Sequence, residues 1–161
     1  MKYLIFKILI GLWLIVISLL LWKISRPVEI VAIHYEKASS DILVKNFPLT
    51  INRKIAWWQE NRTMLKEKYG LPALETNGLR WISFWNFGEG YQIEKPGDTS
   101  FPSKDTSYLL CFDDIKVAER CIVKDRQMHI SITRDGVVLI YFGRKVFIER
   151  PDGEIVRGKD L

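Results

Sequence analysis

The chain has 161 residues, of which 48% are hydrophobic and 27% charged, with 24 Lys and Arg against 19 Asp and Glu. This length fits one domain, with or without an anchor, and excludes a large multidomain enzyme. The spread of charge and the 12% aromatic content argue against a disordered chain. Beyond the strongly apolar residues 1–22, the apolar share is about 42%, as in an ordinary soluble domain.

The N-terminal apolar run extends from Tyr3 to Trp22 and contains one charge, Lys7. Twenty helical residues rise about 30 Å, which is the thickness of the hydrocarbon core of a bilayer. Lys7 can extend its ammonium group to the headgroups. Residues 1–25 are therefore predicted to be a transmembrane helix and signal anchor that contacts the lipid bilayer through residues 3–22.

The alternative for this segment is a cleaved signal peptide, because its uncharged core is short enough. Cleavage requires small residues shortly after the core, and residues 22–26 supply no such pair. Basic residues on the two sides of the segment nearly balance, but long C-terminal domains translocate largely regardless of charge. We expect a cytoplasmic N-terminus, a single pass and an exported domain over residues 26–161.

The exported part is predicted to begin with strands at Val28–Tyr35 and Ile42–Val44, followed by a helix from about Asn52 to Tyr69. Thr50 or Asn52 can cap the start of this helix, whereas Gly70 and Pro72 end it. Its apolar stripe is interrupted by Arg62, which is expected at the edge of the stripe. The stripe consists of Ile51, Ile55, Trp58, Leu65 and Tyr69.

The rest of the chain shows the period-two pattern of strands. Residues 95–106 are rich in Pro, Gly, Asp, Thr and Ser and predict a mobile loop, and Asp135-Gly136 predicts a hairpin. Gly88-Glu89-Gly90 and Pro151-Asp152-Gly153 predict two further turns. We predict an α+β fold with one helix packed on an antiparallel sheet or meander. Its strands are Leu79–Phe87, Tyr91–Glu94, Tyr108–Phe112, Arg120–Val123, Met128–Thr133, Val137–Phe142, Lys145–Glu149 and Glu154–Val156.

The two cysteines, Cys111 and Cys121, lie in consecutive predicted strands on either side of a turn at residues 113–116. An antiparallel hairpin places them opposite each other, within reach of a disulfide. A disulfide belongs to an oxidising compartment and agrees with export. The alternative is a pair of buried free thiols in a reduced domain. Neither His34 nor His129 has ligand spacing to a cysteine, so no zinc site is predicted.

Several local signatures together resemble the enterobacterial DUF943 family of short, single-anchor membrane proteins of unknown function. The resemblance covers roughly residues 26–124 and is weaker from about Gln127. It implies a bacterial inner membrane and carries over no catalytic residue. The signatures are Arg26-Pro27-Val28-Glu29-Ile30, Val44-Lys45-Asn46-Phe47-Pro48, Trp57-Trp58, Met64-Leu65-Lys66-Glu67-Lys68-Tyr69, Phe84-Trp85-Asn86-Phe87-Gly88 with Gly90-Tyr91, and Cys111-Phe112-Asp113-Asp114 with Cys121.

Two tryptophans, Trp57 and Trp85, are candidates for binding a partner, because Trp is enriched in binding hot spots. Trp57 lies beside the helix stripe, next to Trp58, and Trp85 shares a strand face with Trp81. The alternative is that these rings cover the sheet as part of the core. A stacking platform for a sugar or peptide is the further possibility for the Trp81 and Trp85 face.

No catalytic, metal or cofactor site follows from the polar residues. Asp113 and Asp114, with Glu119 nearby, could bind a cation but are typical of a solvated turn. His34 falls on the face of its strand that carries Val28, Ile30 and Ala32, which predicts a satisfied or rim position. Gly88-Glu89-Gly90 lacks the third glycine and the helix of a phosphate loop.

The net charge of +5 falls to about +3 without Lys2 and Lys7, and the remaining charges are scattered along the sequence, so no nucleic-acid partner is predicted. A mild attraction to anionic headgroups is expected instead. The function predicted is a non-enzymatic, membrane-tethered periplasmic module that binds another envelope protein, such as an immunity or accessory factor for an envelope-acting toxin. The alternative is an envelope domain that binds a small ligand or glycan through exposed aromatic residues. A third possibility, an envelope hydrolase, requires a cleft with a perturbed acid or His34.

Overall fold

The computed structural model describes residues 2–24, 26–36, 39–71, 80–94 and 108–160. The predicted loop at residues 95–106, the predicted strand start at Leu79 and Pro72 lie outside these ranges. Two helices and ten strands are present in the described part of the chain. They are α1 (Lys2–Ile24), β1 (Glu29–Glu36), β2 (Ser39–Lys45), α2 (Ile51–Tyr69), β3 (Arg80–Asn86), β4 (Gln92–Ile93), β5 (Leu109–Cys111), β6 (Glu119–Val123), β7 (Arg126–Ile132), β8 (Val138–Phe142), β9 (Lys145–Glu149) and β10 (Ile155–Arg157).

Helix α1 exposes its apolar side chains all around its axis. Every large apolar side chain from Phe6 to Trp22 is at least 42% exposed. Counted over the described residues alone, no helix is both long and apolar enough to cross a membrane.

Helix α2 has the caps that its sequence predicts. The Thr50 hydroxyl accepts a hydrogen bond from the backbone N–H of Arg53, and Gly70 adopts a left-handed φ of 65°. Gly70 suits this position because it has no Cβ to clash. The helix buries Ile55, Trp58 and Leu65 from the predicted stripe.

The main sheet has seven strands in the order β1-β2-β3-β7-β8-β9-β10. All its pairs are antiparallel except β2 and β3, which run parallel. The prediction of a purely antiparallel sheet was therefore wrong at this pair. Its physical cause is the position of α2, which connects β2 to β3 as a crossover and so brings the chain back in the same direction.

A second sheet has three strands in the order β4-β6-β5. Cys111 of β5 and Cys121 of β6 are directly opposite in the register, with 3.9 Å between their Cα atoms, and they form the predicted disulfide. The cross-link therefore joins two neighbouring strands of this small sheet.

Two apolar cores place the sheets and α2 in layers. The larger core lies between α2 and one face of the main sheet and includes Trp58, Ile82 and Phe84. The smaller core contains Leu43 from the other face of the main sheet, together with Ile122 of the small sheet and Phe112, which directly follows β5. The main sheet is thus covered by α2 on one face and partly by the small sheet on the other.

A β-bulge in β1 corrects the predicted position of His34. The register shifts between Ile30 and Ala32, so the period-two pattern is interrupted there. Ile30 packs in the α2 core, whereas Val31 and Ala32 pack in the core under the small sheet. His34 consequently faces the small sheet and does not share a face with Ile30.

Candidate functional site

The buried His34 lies between the two sheets, has hydrogen-bond partners at both ring nitrogens, and has a side chain that is 6% exposed. Its Nδ1 lies 2.7 Å from Oδ2 of Asp114, and its Nε2 lies 2.8 Å from the hydroxyl of Tyr91. The imidazole also stacks on the ring of Phe112, with 3.8 Å between ring centroids. His34 therefore links β1 to the β5–β6 turn and to the segment before β4.

The hydrogen bonds of this group restrict where its protons can lie. A carboxylate only accepts, so Nδ1 of His34 carries a hydrogen toward Asp114. Burial, followed by the nearby charge of Asp114, raises the pKa of Tyr91 above its usual value. The phenol thus keeps its proton at neutral pH.

A row of polar residues crosses five strands of the main sheet on the same face. Consecutive members are direct partners in the strand registers, so their side chains leave the sheet on one side. The row begins at His34 of β1 and ends at Tyr141 of β8. Its members are His34, Asp41, Ser83, His129 and Tyr141.

Burial dominates the electrostatics of this row. Burial raises the pKa of Asp41, and a hydrogen bond from Nε1 of Trp85, 2.7 Å long, opposes that rise. Burial, followed by the charge of Arg126, lowers the pKa of His129 to about 4. His129 is therefore neutral at physiological pH.

The Ser83 hydroxyl lies 3.0 Å from Nδ1 of His129, which resembles the nucleophile and base of a hydrolase. The third group of such a site is a carboxylate that orients the histidine. In the register Asp41 lies beside Ser83, on the side away from His129. With Ser83 only 8% exposed, the arrangement fits a structural network better than a catalytic one.

The two predicted binding tryptophans are half-buried. Trp57 makes edge contacts to Phe47 and Phe84, with centroid distances of 5.2 and 5.6 Å. Trp85 packs in the core under the small sheet, and the guanidinium of Arg126 lies 5.8 Å from its ring centroid. Their role in binding a partner stays a prediction. Trp81, at 40% exposure, is more accessible than either.

The acidic residues of the β5–β6 turn have basic partners. Asp113 accepts a hydrogen bond of 2.7 Å from Arg120, while Asp114 is bonded to His34. Among the described residues, Glu94 and the two cysteines also place side-chain atoms of metal-ligand types close together. The cysteine sulfurs are bonded to each other, so they are not the thiolates that bind zinc.

An open cleft of about 340 Å³ lies near the turns that connect β7 to β8 and β9 to β10. Its wall includes Arg62, which forms an ion pair with the buried carboxylate of Glu149. Glu149 also lies 3.5 Å from the indole nitrogen of Trp58. Arg62 is thus held at the edge of the helix stripe, where the sequence predicts it.

Sequence reasoning missed the His34 group and the polar row. The members of the group are 57 and 80 positions apart in the chain, and a bulge separates His34 from the pattern used to place it. A better signal was available for the parallel pair, because a strand, a helix and a strand in succession are typical of a crossover.

The fold and site define an α+β protein with an exposed apolar N-terminal helix, a disulfide and an internally bonded polar network. The chain belongs to the family described as "Enterobacterial putative membrane protein (DUF943)", whose profile matches residues 2–159. The match confirms the suspected resemblance and extends it to nearly the whole chain. No curated protein and no solved structure matches the chain.

Proposed function

We propose that the protein is a membrane-tethered periplasmic module that binds another envelope protein and has no enzymatic activity of its own. The observation that carries the proposal is the exposure of the apolar side chains of α1 on every side. Exposed apolar patches larger than a few hundred Å² mark contact with protein or membrane, and the family description favours membrane.

The proposed anchor is α1 inserted in the bacterial inner membrane as a single pass, with a cytoplasmic N-terminus. The described side chains from Phe6 to Trp22 rise about 26 Å, which is slightly below the thickness of the hydrocarbon core. Insertion then requires the flanking residues of α1 or a local thinning of the bilayer, and thinning has a modest energetic cost. The disulfide supports the periplasmic location of the domain, because that compartment is oxidising.

The absence of enzymatic activity is proposed from the state of the polar groups. Both ring nitrogens of His34 are occupied by protein partners, and His129, with a pKa of about 4, is a weak base at neutral pH. A domain whose buried polar groups bond to one another is rigid, and rigidity favours binding because less entropy is lost on association.

Protein binding is tested by site-specific photocrosslinking of the full chain in cells. A crosslinking side chain at Trp81, on the partly uncovered face of the main sheet, is expected to trap an envelope protein. The same group at exposed Glu67 on α2 is the matched control. The trapped protein, once purified, should bind the full chain in nanodiscs, and Trp81→Ala should weaken that binding. Failure to bind the wild-type chain in nanodiscs would refute the proposal.

Two genetic experiments test the membrane orientation and the immunity role. A C-terminal reporter that is active only in the periplasm should be active, whereas activity of a reporter restricted to the cytoplasm would overturn the orientation. If the partner is an envelope-acting toxin, deletion of the gene should make a toxin encoded beside it harmful. If no protein encoded beside the gene becomes harmful, the immunity role is wrong. The crosslinking experiment then still tests binding to other envelope proteins.

The alternative is a domain that binds a small ligand or glycan through exposed aromatic residues, which the exposure of Trp81 favours. Fluorescence of the full chain during titration with cell-wall fragments tests this function. Trp81→Phe removes the most exposed of the described indoles outside α1 and serves as the control. Unchanged emission of the wild-type protein across a wide titration would exclude an aromatic binding site.

A further inference from the structure

The point where the chain leaves α1 is tied to one end of the main sheet. The guanidinium carbon of Arg26 lies 4.1 Å from the ring centroid of Trp22, near the end of the helix. The carbonyl of Pro27 accepts a hydrogen bond of 3.3 Å from the side-chain amide of Asn46. Three residues span at most about 10 Å, so Pro27 lies within that distance of Ile24, where α1 ends.

The strand registers show which termini of the main sheet lie at this same end. Glu29, which begins β1, pairs with Lys45, which ends β2. Trp85, near the end of β3, pairs with Arg126, which begins β7. The turn between β8 and β9 lies here too, because β8 runs antiparallel to β7 and reaches this end last. We call this the anchor end of the sheet.

Basic residues that are scattered in the sequence gather at the anchor end. All of them except Lys54, which is buried and donates a hydrogen bond to Gln127, are exposed, and they outnumber the acidic residues there. One of the acids, Asp125, accepts hydrogen bonds from Asn86 and Gln127. From the termini of β1, β2, β3, β7, β8 and β9 and the start of α2, the exposed basic residues are Lys45, Arg53, Lys124, Arg126, Arg144 and Lys145, and the exposed acidic residues are Glu29, Glu89 and Asp125. Strand β10 ends here as well and adds Lys159 and the ion pair of Arg157 with Asp160.

An exposed apolar side chain lies between Lys45 and Arg53 in the sequence, in the loop that joins β2 to α2. Leu49 is 86% exposed, more than any other large apolar residue in the described part of the chain. It follows a turn in which Asn46 has a φ of 55° and directly precedes Thr50, the N-cap of α2. An apolar side chain flanked by Lys and Arg is the combination that inserts at the boundary between headgroups and acyl chains.

We propose that the anchor end, through Leu49 and its basic residues, docks on anionic phospholipid headgroups of the membrane that holds α1. This inference rests on the proposed anchoring of α1. The short link keeps the surface close to the bilayer, within the range over which an anionic membrane attracts cations. Each basic residue near such a surface favours binding about fivefold, so several together fix the orientation of the domain.

The test measures how close Leu49 lies to lipid in the full chain. Both native cysteines are in the disulfide, so Leu49→Cys provides one free thiol for an NBD fluorophore. The matched control is Val137→Cys, an exposed position beside the β7–β8 turn at the opposite end of the sheet. The chains are placed in nanodiscs of phosphatidylcholine with and without 30% phosphatidylglycerol, using lipids with a spin label near the headgroup.

Quenching at position 49 is expected to be at least twice that at position 137 in the anionic discs. It should fall when phosphatidylglycerol is omitted, at high salt, and in the triple variant Lys45→Gln, Arg53→Gln, Arg144→Gln. The control variant Lys66→Gln, Lys68→Gln, at the far end of α2, should leave it unchanged. Equal quenching at the two positions, or quenching at position 49 that does not depend on phosphatidylglycerol, would overturn the proposal.

The composition of the discs also separates this inference from the anchor on which it rests. If the chain fails to co-purify with discs of either composition, the anchoring of α1 is wrong. If the chain is retained in both but position 49 is not quenched, only the docking of the anchor end is wrong.

Discussion

Loss of the Cys111–Cys121 cross-link is expected to lower the free energy of unfolding by about 2.7 kcal/mol at 25 °C. The bond closes a loop with a sequence separation of 10 residues, and the value follows from the chain entropy that this closure removes from the unfolded state. For a domain with 5–15 kcal/mol of total stability, this is a substantial fraction (roughly a fifth to a half).

The measurement is urea unfolding of the full chain in mild detergent, followed by near-ultraviolet circular dichroism, with and without reductant. With a denaturant slope of about 1.5 kcal/mol/M, the midpoint should fall by about 1.8 M on reduction. Comparing oxidised with reduced wild-type protein changes only the bond. The double variant Cys111→Ala, Cys121→Ala controls for other effects of the reductant and should not respond to it. A midpoint that moves by less than about 0.3 M, or an equal response of the double variant, would refute the entropic argument.

Three further predictions concern the interior. Phe84→Ala removes a fully buried ring from the larger core and should cost about 3–5 kcal/mol of stability, whereas a cost below about 1 kcal/mol in denaturant unfolding would contradict the assigned packing. Arg62→Met should lower the free energy of unfolding by about 2–3 kcal/mol, because it leaves the buried Glu149 carboxylate without its cation. Adding Glu149→Gln should recover part of this loss in a double-mutant cycle. Additive effects of the two substitutions would contradict the pairing. His129 has a folded pKa of about 4, below its unfolded value of 6.5, so the unfolded state binds the extra proton and stability should fall as pH drops from about 6.5 to 4. His129→Gln should show a shallower fall over that range, and an identical pH profile of thermal unfolding would contradict the shift.

Local chemistry allowed the sequence to predict most elements of the domain. The Thr50 cap and Gly70 at the end of α2 follow from the hydrogen-bonding and steric needs of helix ends. Asp135-Gly136 predicts the β7–β8 hairpin because Gly136 can adopt its φ of 80°. The cysteine pair followed from hairpin geometry, which is also local.

The sequence pattern could not predict features that depend on a break in periodicity or on distant partners. The bulge in β1 changes the face on which His34 lies, and no residue near Ile30 marks it. The predicted binding role of Trp57 and Trp85 depends on how exposed their side chains are. That exposure is set by rings from elsewhere in the chain, such as Phe47, which packs on Trp57.

The sequence by itself determined that this protein has an apolar N-terminal helix, a helix-and-sheet domain and a cross-linked hairpin, because each depends on residues within a few positions of one another. Only the tertiary structure decided that His34 meets Asp114 and Tyr91. It also showed that β2 and β3 run parallel, as the succession of strand, helix and strand in the sequence indicates. It also gathered the scattered basic residues at the end of the sheet beside α1. Strand order causes these differences, since the direction in which each strand enters the sheet determines which distant side chains become neighbours.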